Sequence, residues 1–243
     1  NIINVFKIFS IFCILASIVY IFNDIVDINV DKLHPKKKKT KPLAAGLIDL
    51  RYAKLILFGL IICLIIFLYF FPKFIEVSLL YIFLNLAYSY LLKNIFLIEI
   101  FSLSLNYLIR VYAGCVAFDV TLSNWMAVTI LSGALAISSI KRERELFLYG
   151  YKARKVLKYY SNKILRIITI LTSILSAAFY SLYVIFTNER MFLTIPLVMY
   201  GIFRFTYRSK SKDFTDSPVE EILKDKQNYL IIFFWLIILI FYN

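Results

Sequence analysis

The chain has 243 residues, 61% of them hydrophobic, with a mean hydropathy of +0.79. Soluble domains sit near about 45–50% apolar, so a soluble globular protein is excluded and an all-α, polytopic membrane protein is indicated. The formal charge of +13 is gathered in segments between apolar runs, which points to membrane topology and away from nucleic acid as a partner.

A first apolar run over 2–22 leads directly into Asn23, Asp24, Asp27 and Asp31. At 100° per residue, Asp24, Asp27 and Asp31 fall within a sector of about 60° on a helix, flanked by Asn23, so their oxygens are expected to converge. Oxygen-only sets of this kind suit Mg²⁺, usually with substrate phosphates completing its shell. The bland reading is a solvated helix end whose acids balance nearby lysines. The loop that follows, about 23–50, carries Lys32, Lys36 to Lys39 and Lys41 directly after the carboxylates, so a phosphate-binding half lies next to a metal-binding half. Lys41 precedes Pro42, which restricts its backbone, and it is the better ligand candidate. Lys36 to Lys39 serve equally as phosphate ligands or as anchors to anionic lipid. His34, the only histidine, precedes Pro35 and suits a turn as well as a proton transfer.

Apolar runs over 50–71 and 75–92 come next. Asn85, Ser89 and Lys93, spaced by four, form a polar stripe with Tyr88 beside it. The run over 95–118 contains Arg110 on the same helical face as Tyr107 and Gly114, with Asn106 one turn earlier. A charge within a span is costly and functional by default, and Arg110 suits a phosphate contact or an internal ion pair. After the run at 124–140 comes Lys141-Arg142-Glu143-Arg144-Glu145. Lys141 and Glu145 are spaced i,i+4 and Arg142 and Glu145 i,i+3, so they share a face. They act there as site residues or as snorkelling anchors. Arg144, Lys152, Arg154, Lys155 and Lys158 read as lipid-facing or solvated. The remaining runs, 164–186, 191–207 and 228–242, give about eight spans, with further polar loops at about 140–163 and 207–227.

Segments 23–54, 93–94, 140–166 and 204–226 hold 24 of the 28 Lys and Arg residues. They fall at every second connection, which predicts that these loops face the cytoplasm and that the N-terminus lies outside. Cys13, Cys63 and Cys115 lie in apolar runs without paired spacing and are expected to pack as small hydrophobes.

Together these motifs resemble the UbiA superfamily of intramembrane prenyltransferases, whose first aspartate motif matches residues 23–31. Within it the chain is most similar to the decaprenyl-phosphate phosphoribosyltransferase family. That resemblance also rests on His34-Pro35, Lys41-Pro42-Leu43-Ala44, Tyr88-Ser89 with Leu92-Lys93, and Tyr107 to Arg110 with Ala113-Gly114. It continues through Lys141-Arg142 with Glu145-Leu146, Arg154 to Leu157 with Tyr160-Ser161, and Arg204 with Pro218 and Asp225. Four departures stand out. Lys41 occupies a position where Arg is expected, Asn94 and Glu99 stand for His and Asp, the Pro35 to Pro42 stretch is one residue longer, and eight spans against the family's usual nine lead to the expectation that its first helix is not represented here.

The resemblance implies a single transmembrane transferase domain over 1–243 in the plasma membrane, with its active site facing the cytoplasm. It implies Mg²⁺-dependent transfer of phosphoribose from phosphoribosyl diphosphate to a polyprenyl phosphate. Asn23, Asp24, Asp27 and Asp31 would hold the metal, while Asp27, Asp31, Lys141, Arg142 and Glu145 would serve catalysis. Lys36, Lys41, Tyr88, Lys93, Tyr107 and Arg110 would bind substrate. The absence of any Asp between 140 and 166, where a second aspartate motif belongs in ordinary prenyltransferases, favours this reaction. Prenyl transfer to an aromatic acceptor is the alternative, and a lipid-phosphate transporter or binder the second. Assembly as a homo-oligomer is compatible with the sequence.

Overall fold

A computed structural model describes residues 2–33, 37–152, 154–187, 189–211, 214 and 218–242. His34, Pro35 and Lys36 lie outside the described residues, and with them the substrate-binding role expected of Lys36. Among the described residues the regular structure is entirely helical. Eight long helices occupy the eight predicted runs: α1 (Ile2–Val26), α4 (Leu50–Phe70), α5 (Ile75–Tyr90), α6 (Ile98–Phe118), α7 (Asn124–Tyr149), α8 (Asn162–Thr187), α9 (Thr194–Arg208) and α11 (Lys226–Tyr242). Short α2 (Ile28–Leu33), α3 (Lys37–Thr40) and α10 (Pro218–Lys224) lie in the polar connections.

Four helices, α1, α4, α6 and α8, are long and apolar enough to cross a bilayer. The other four are shorter or, in α7, are diluted by serine, glycine and alanine and continue past the apolar part into the charged run at 141–145. The chain is an integral membrane protein. Its surface agrees: on α4 only Ala53 and Leu64 are buried, while Phe58, Ile62, Ile65 and Ile66 point outward, where only a lipid solvent leaves them stable. Cys13 and Cys63 lie on exposed faces of these apolar helices and Cys115 is half-buried.

The residues form two compact units. The first comprises Asn1–Ile95 and Ile109–Thr121, the second Phe96–Leu108 and Leu122–Asn243, so α6 contributes to both. The core of the first unit joins Ile11, Leu15, Ile18 and Val19 of α1 to Leu64 of α4, Val77 and Tyr81 of α5, and Ala113 and Ala117 of α6. These positions recur every three or four residues along α1 and so occupy one face.

The second unit is built on the pairing of α7 with α8. Small side chains make this approach close: a Cβ on Gly133 would lie 3.1 Å from the Ser176 hydroxyl, which itself donates to the Thr129 carbonyl at 3.1 Å. Without a hydrophobic drive between helices in lipid, such close contact supplies the packing energy. A second cluster joins Ile100 of α6 and Leu165 of α8 to Val156, Leu157 and Tyr160 of the connection between α7 and α8.

Candidate functional site

In the first unit the chain leaves regular helix at Asp27, between α1 and α2, although backbone bonds from Asp27 to Asn23 (2.9 Å) and from Asp31 to Asp27 (2.8 Å) keep it helical in direction. Asp24 and Asp31 therefore remain on one face, as their spacing predicted. Both accept from the Lys41 ammonium, at 2.6 and 2.7 Å. Asp27 instead accepts from Lys93 at 2.5 Å. The single meeting point expected for three carboxylates is thus resolved into two, with Lys93, in the turn that follows α5, pairing with the middle one. Among the described residues no three His, Cys, Asp or Glu side chains form a metal cage. Mg²⁺ does not require one, since it is commonly held by one or two carboxylates together with substrate phosphates. Asp24 and Asp31, already converging on one cation, have the chemistry for that role, with Asn23 and Asp27 beside them.

Local structure fixes Lys41. Backbone bonds from Ala45 to Lys41 (2.9 Å) and Leu47 to Pro42 (3.0 Å) coil residues 41–47 into a tight turn, with Leu43 buried as its anchor. Gly46 closes it at φ +74°, a conformation that side chains with a Cβ rarely adopt. Burial works against the charge on Lys41, but the hydrogen bonds and fields of Asp24 and Asp31 outweigh it and raise its pKa above the ordinary lysine value. On α5, buried Ser89 donates to the Asn23 side-chain oxygen and to the Asn85 carbonyl, so the predicted stripe holds the amide of the aspartate motif. Tyr88 is half-buried next to it. Arg110 donates to the Tyr81 hydroxyl at 3.1 Å, and Tyr81 lies two turns before Ser89, roughly 12 Å along the helix. This contact, to a neutral hydroxyl, is neither the ion pair nor the phosphate contact expected of Arg110.

In the second unit Arg142 is the centre. It is 1% exposed, and its Nε donates to both oxygens of Glu99, at 2.8 and 2.9 Å, while Nη1 donates to Glu145 at 2.5 Å. Arg154 Nε reaches the same Glu145 oxygen at 3.0 Å. The i,i+3 pair foreseen from sequence is present, but it sits inside a larger network. Glu99 and Arg154 were missed as members: Glu99 stood out only as a departure from the family pattern, and Arg154 read as lipid-facing or solvated. Glu99 lies in the first turn of α6, where the helix dipole favours a carboxylate. The entry to that helix is set by Leu97, held at φ +62° with its N–H donating to the Tyr160 hydroxyl at 2.9 Å. A leucine in this region costs about 1–2 kcal/mol, and the buried Tyr160 ring, stacked obliquely on Phe96, offsets it.

Glu145 lies beyond the apolar part of α7. Burial pushes its pKa up, but Arg142, then Arg154 and Lys141, hold it down to about 2, so it is ionised at neutral pH. Lys141 is exposed and adds its field to this network. Tyr107 is exposed on α6. Further along, Asp225 accepts from Arg204 through two bonds of 2.6 and 2.8 Å, and buried Glu221 accepts from Arg208 at 3.2 Å, tying α9 to the segment around α10.

The chain is 34% identical over 187 residues to a decaprenyl-phosphate phosphoribosyltransferase of Mycolicibacterium smegmatis, covering 75% of this chain and 58% of that protein. It is 34% identical over 170 residues to the protein of that name from Mycobacterium tuberculosis, covering 68% and 56%. The Corynebacterium glutamicum protein of the same name is 32% identical over 184 residues, covering 69% and 52%. The chain thus spans little more than half the length of the relatives it matches. The model of the UbiA prenyltransferase family matches residues 2–220, and the chain belongs to that family.

Proposed function

We propose that this chain transfers 5-phosphoribose from phosphoribosyl diphosphate to a polyprenyl phosphate such as decaprenyl phosphate, releasing diphosphate, at the cytoplasmic face of the plasma membrane. The observation that carries the reading is the convergence of Asp24 and Asp31 on one cation, in a chain whose later polar segment offers Lys141, Arg142 and Arg154 and no aspartate. Relatives named for this reaction support it.

In the transfer, the anomeric C–O bond of the donor breaks and its electron pair leaves with diphosphate. An oxygen of the acceptor phosphate forms the new bond to that carbon. Mg²⁺ held by Asp24 and Asp31, with Asn23 and Asp27 beside them, would neutralise charge on the departing diphosphate. Lys41, which reaches Asp24 and Asp31, donates to phosphate oxygens, and Lys93 does the same from beside Asp27. Arg142 is fully engaged by two carboxylates and therefore acts by positioning Glu145, which in turn orders Arg154. Lys141, exposed at the same helix end, is the cation that meets a phosphate. No general base is required, because a phosphate monoester with a second pKa of about 6 is already ionised.

The test is incubation of the purified protein with Mg²⁺, labelled phosphoribosyl diphosphate and polyprenyl phosphate. Label in the lipid phase is expected, and Asp27→Asn is expected to abolish it while leaving the helical content unchanged. Turnover of a prenyl diphosphate with an aromatic acceptor, and no lipid-linked ribose, would overturn the proposal in favour of prenyl transfer. Neither product, with retention of polyprenyl phosphate, would point to a lipid-phosphate binder.

A further inference from the structure

On α7 the residues of the Arg142 network occupy one side of the helix, and Glu143, Arg144 and Phe147 project from the opposite side. There they line a recess of about 530 Å³ together with Lys163 and Arg166 of α8 and Lys210 just after α9. Four cations thus surround one carboxylate, Glu143, which accepts from Arg166 at 3.0 Å. Arg144 lies over the Phe147 ring at 5.2 Å, which orders its guanidinium at the rim. Lys163 and Lys210 are exposed. The excess positive charge matches an anion.

A second space fixes what kind of anion. Lys210 also lines an apolar groove of about 340 Å³ between α8 and α9, walled by Ile170, Ile174, Ala177, Met199 and Phe203. The groove runs along two helices whose outer faces are apolar, and its walls include no charged side chain other than Lys210 at its end. A basic recess continuous through one lysine with an apolar groove has the two-part character of a phospholipid. A free phosphate or sugar phosphate would leave the groove unused, and a neutral lipid would leave the cations unmatched. Basic pockets between membrane helices are established places for anionic headgroups.

We infer that the second unit binds one anionic phospholipid of the surrounding bilayer, with its phosphate among Arg144, Lys163, Arg166 and Lys210 and an acyl chain between α8 and α9. The site lies on the other side of α7 from Arg142 and Glu145, and it is independent of the transfer reaction proposed above.

Native mass spectrometry of the purified protein in mild detergent tests it, with added phosphatidylglycerol, phosphatidylcholine or inorganic phosphate. One phosphatidylglycerol is expected to be retained well beyond phosphatidylcholine. Each basic residue near the surface is worth roughly five-fold in affinity, so Lys163→Gln with Lys210→Gln is expected to weaken retention about 25-fold. Both side chains are exposed, so the double variant folds. Ala177→Phe, which fills the groove, is expected to weaken binding of long-chain but not of short-chain phosphatidylglycerol. Equal retention of the two lipids, or undiminished retention by the double variant, would overturn the inference. So would displacement by millimolar inorganic phosphate, which would mark a free-phosphate site. Displacement by stoichiometric polyprenyl phosphate would overturn it as well, by making the recess a substrate site.

Discussion

Arg142→Gln is the most direct test of how the second unit holds its charges. The guanidinium is 1% exposed and lies between Glu99, which is fully buried, and Glu145, whose side chain is 13% exposed. Removing one member of a buried pair leaves the other charge uncompensated and typically costs about 3–5 kcal/mol. For a chain of this length that corresponds to a fall of about 10 °C in the unfolding midpoint. Trp125 and Trp235 both belong to the second unit, so intrinsic fluorescence in detergent follows the relevant transition.

Adding Glu99→Gln to the Arg142→Gln variant removes the stranded carboxylate. It is expected to recover part of the loss, with a coupling of about 2 kcal/mol. The acid limb gives a second readout. Glu145 has its pKa lowered from 4.5 to about 2, so its contribution is fully present above the unfolded value and disappears as pH falls through the folded one. That shift is worth on the order of 3 kcal/mol. In Arg142→Gln the acid loss is smaller and is complete at a higher pH, because the folded-state pKa rises when only Arg154 and Lys141 still favour the carboxylate. A midpoint within about 2 °C of the wild type, or strictly additive losses in the double variant, would refute the reasoning.

Two further predictions concern the other ion pairs. The raised pKa of Lys41 means that its contribution is complete below the ordinary lysine value and is lost as pH rises through the higher folded one; Lys41→Met removes that alkaline component from melting curves followed by circular dichroism. A wild-type and variant that lose stability in parallel above pH 10.5 would show that the lysine is not held by Asp24 and Asp31. Asp225→Asn breaks a bidentate pair with Arg204 whose carboxylate is 3% exposed, and is expected to cost about 2–4 kcal/mol in fluorescence-monitored unfolding. A loss under about 0.5 kcal/mol would mean that the pair behaves as a solvated one.

What could be read in the sequence followed from periodicity and proximity. The apolar runs located all eight long helices, and in four of them the length and composition are those a bilayer requires. Asp24 and Asp31 could be placed together because seven residues bring a helix almost back to the same face. The fate of Asp27 could not, because Lys93 is 66 residues away and only the packing of α5 against α1 brings them together. The same contrast holds for Arg142. Its pairing with Glu145 follows from helical spacing, whereas the bond to Glu99 spans 43 residues and depends on how Leu97 turns the chain into α6. The end of α7 was set too early, because the charged run at 141–145 was read as the start of a loop and instead continues the helix.

Arg204 and Arg208 sit about one turn apart on α9, and their partners Asp225 and Glu221 both come from the stretch that follows that helix. The arginines keep part of their surface open while the two acids are almost wholly covered, so α9 acts as a lid over carboxylates that the next segment supplies, and the two stretches are clasped within α10 and just past its end.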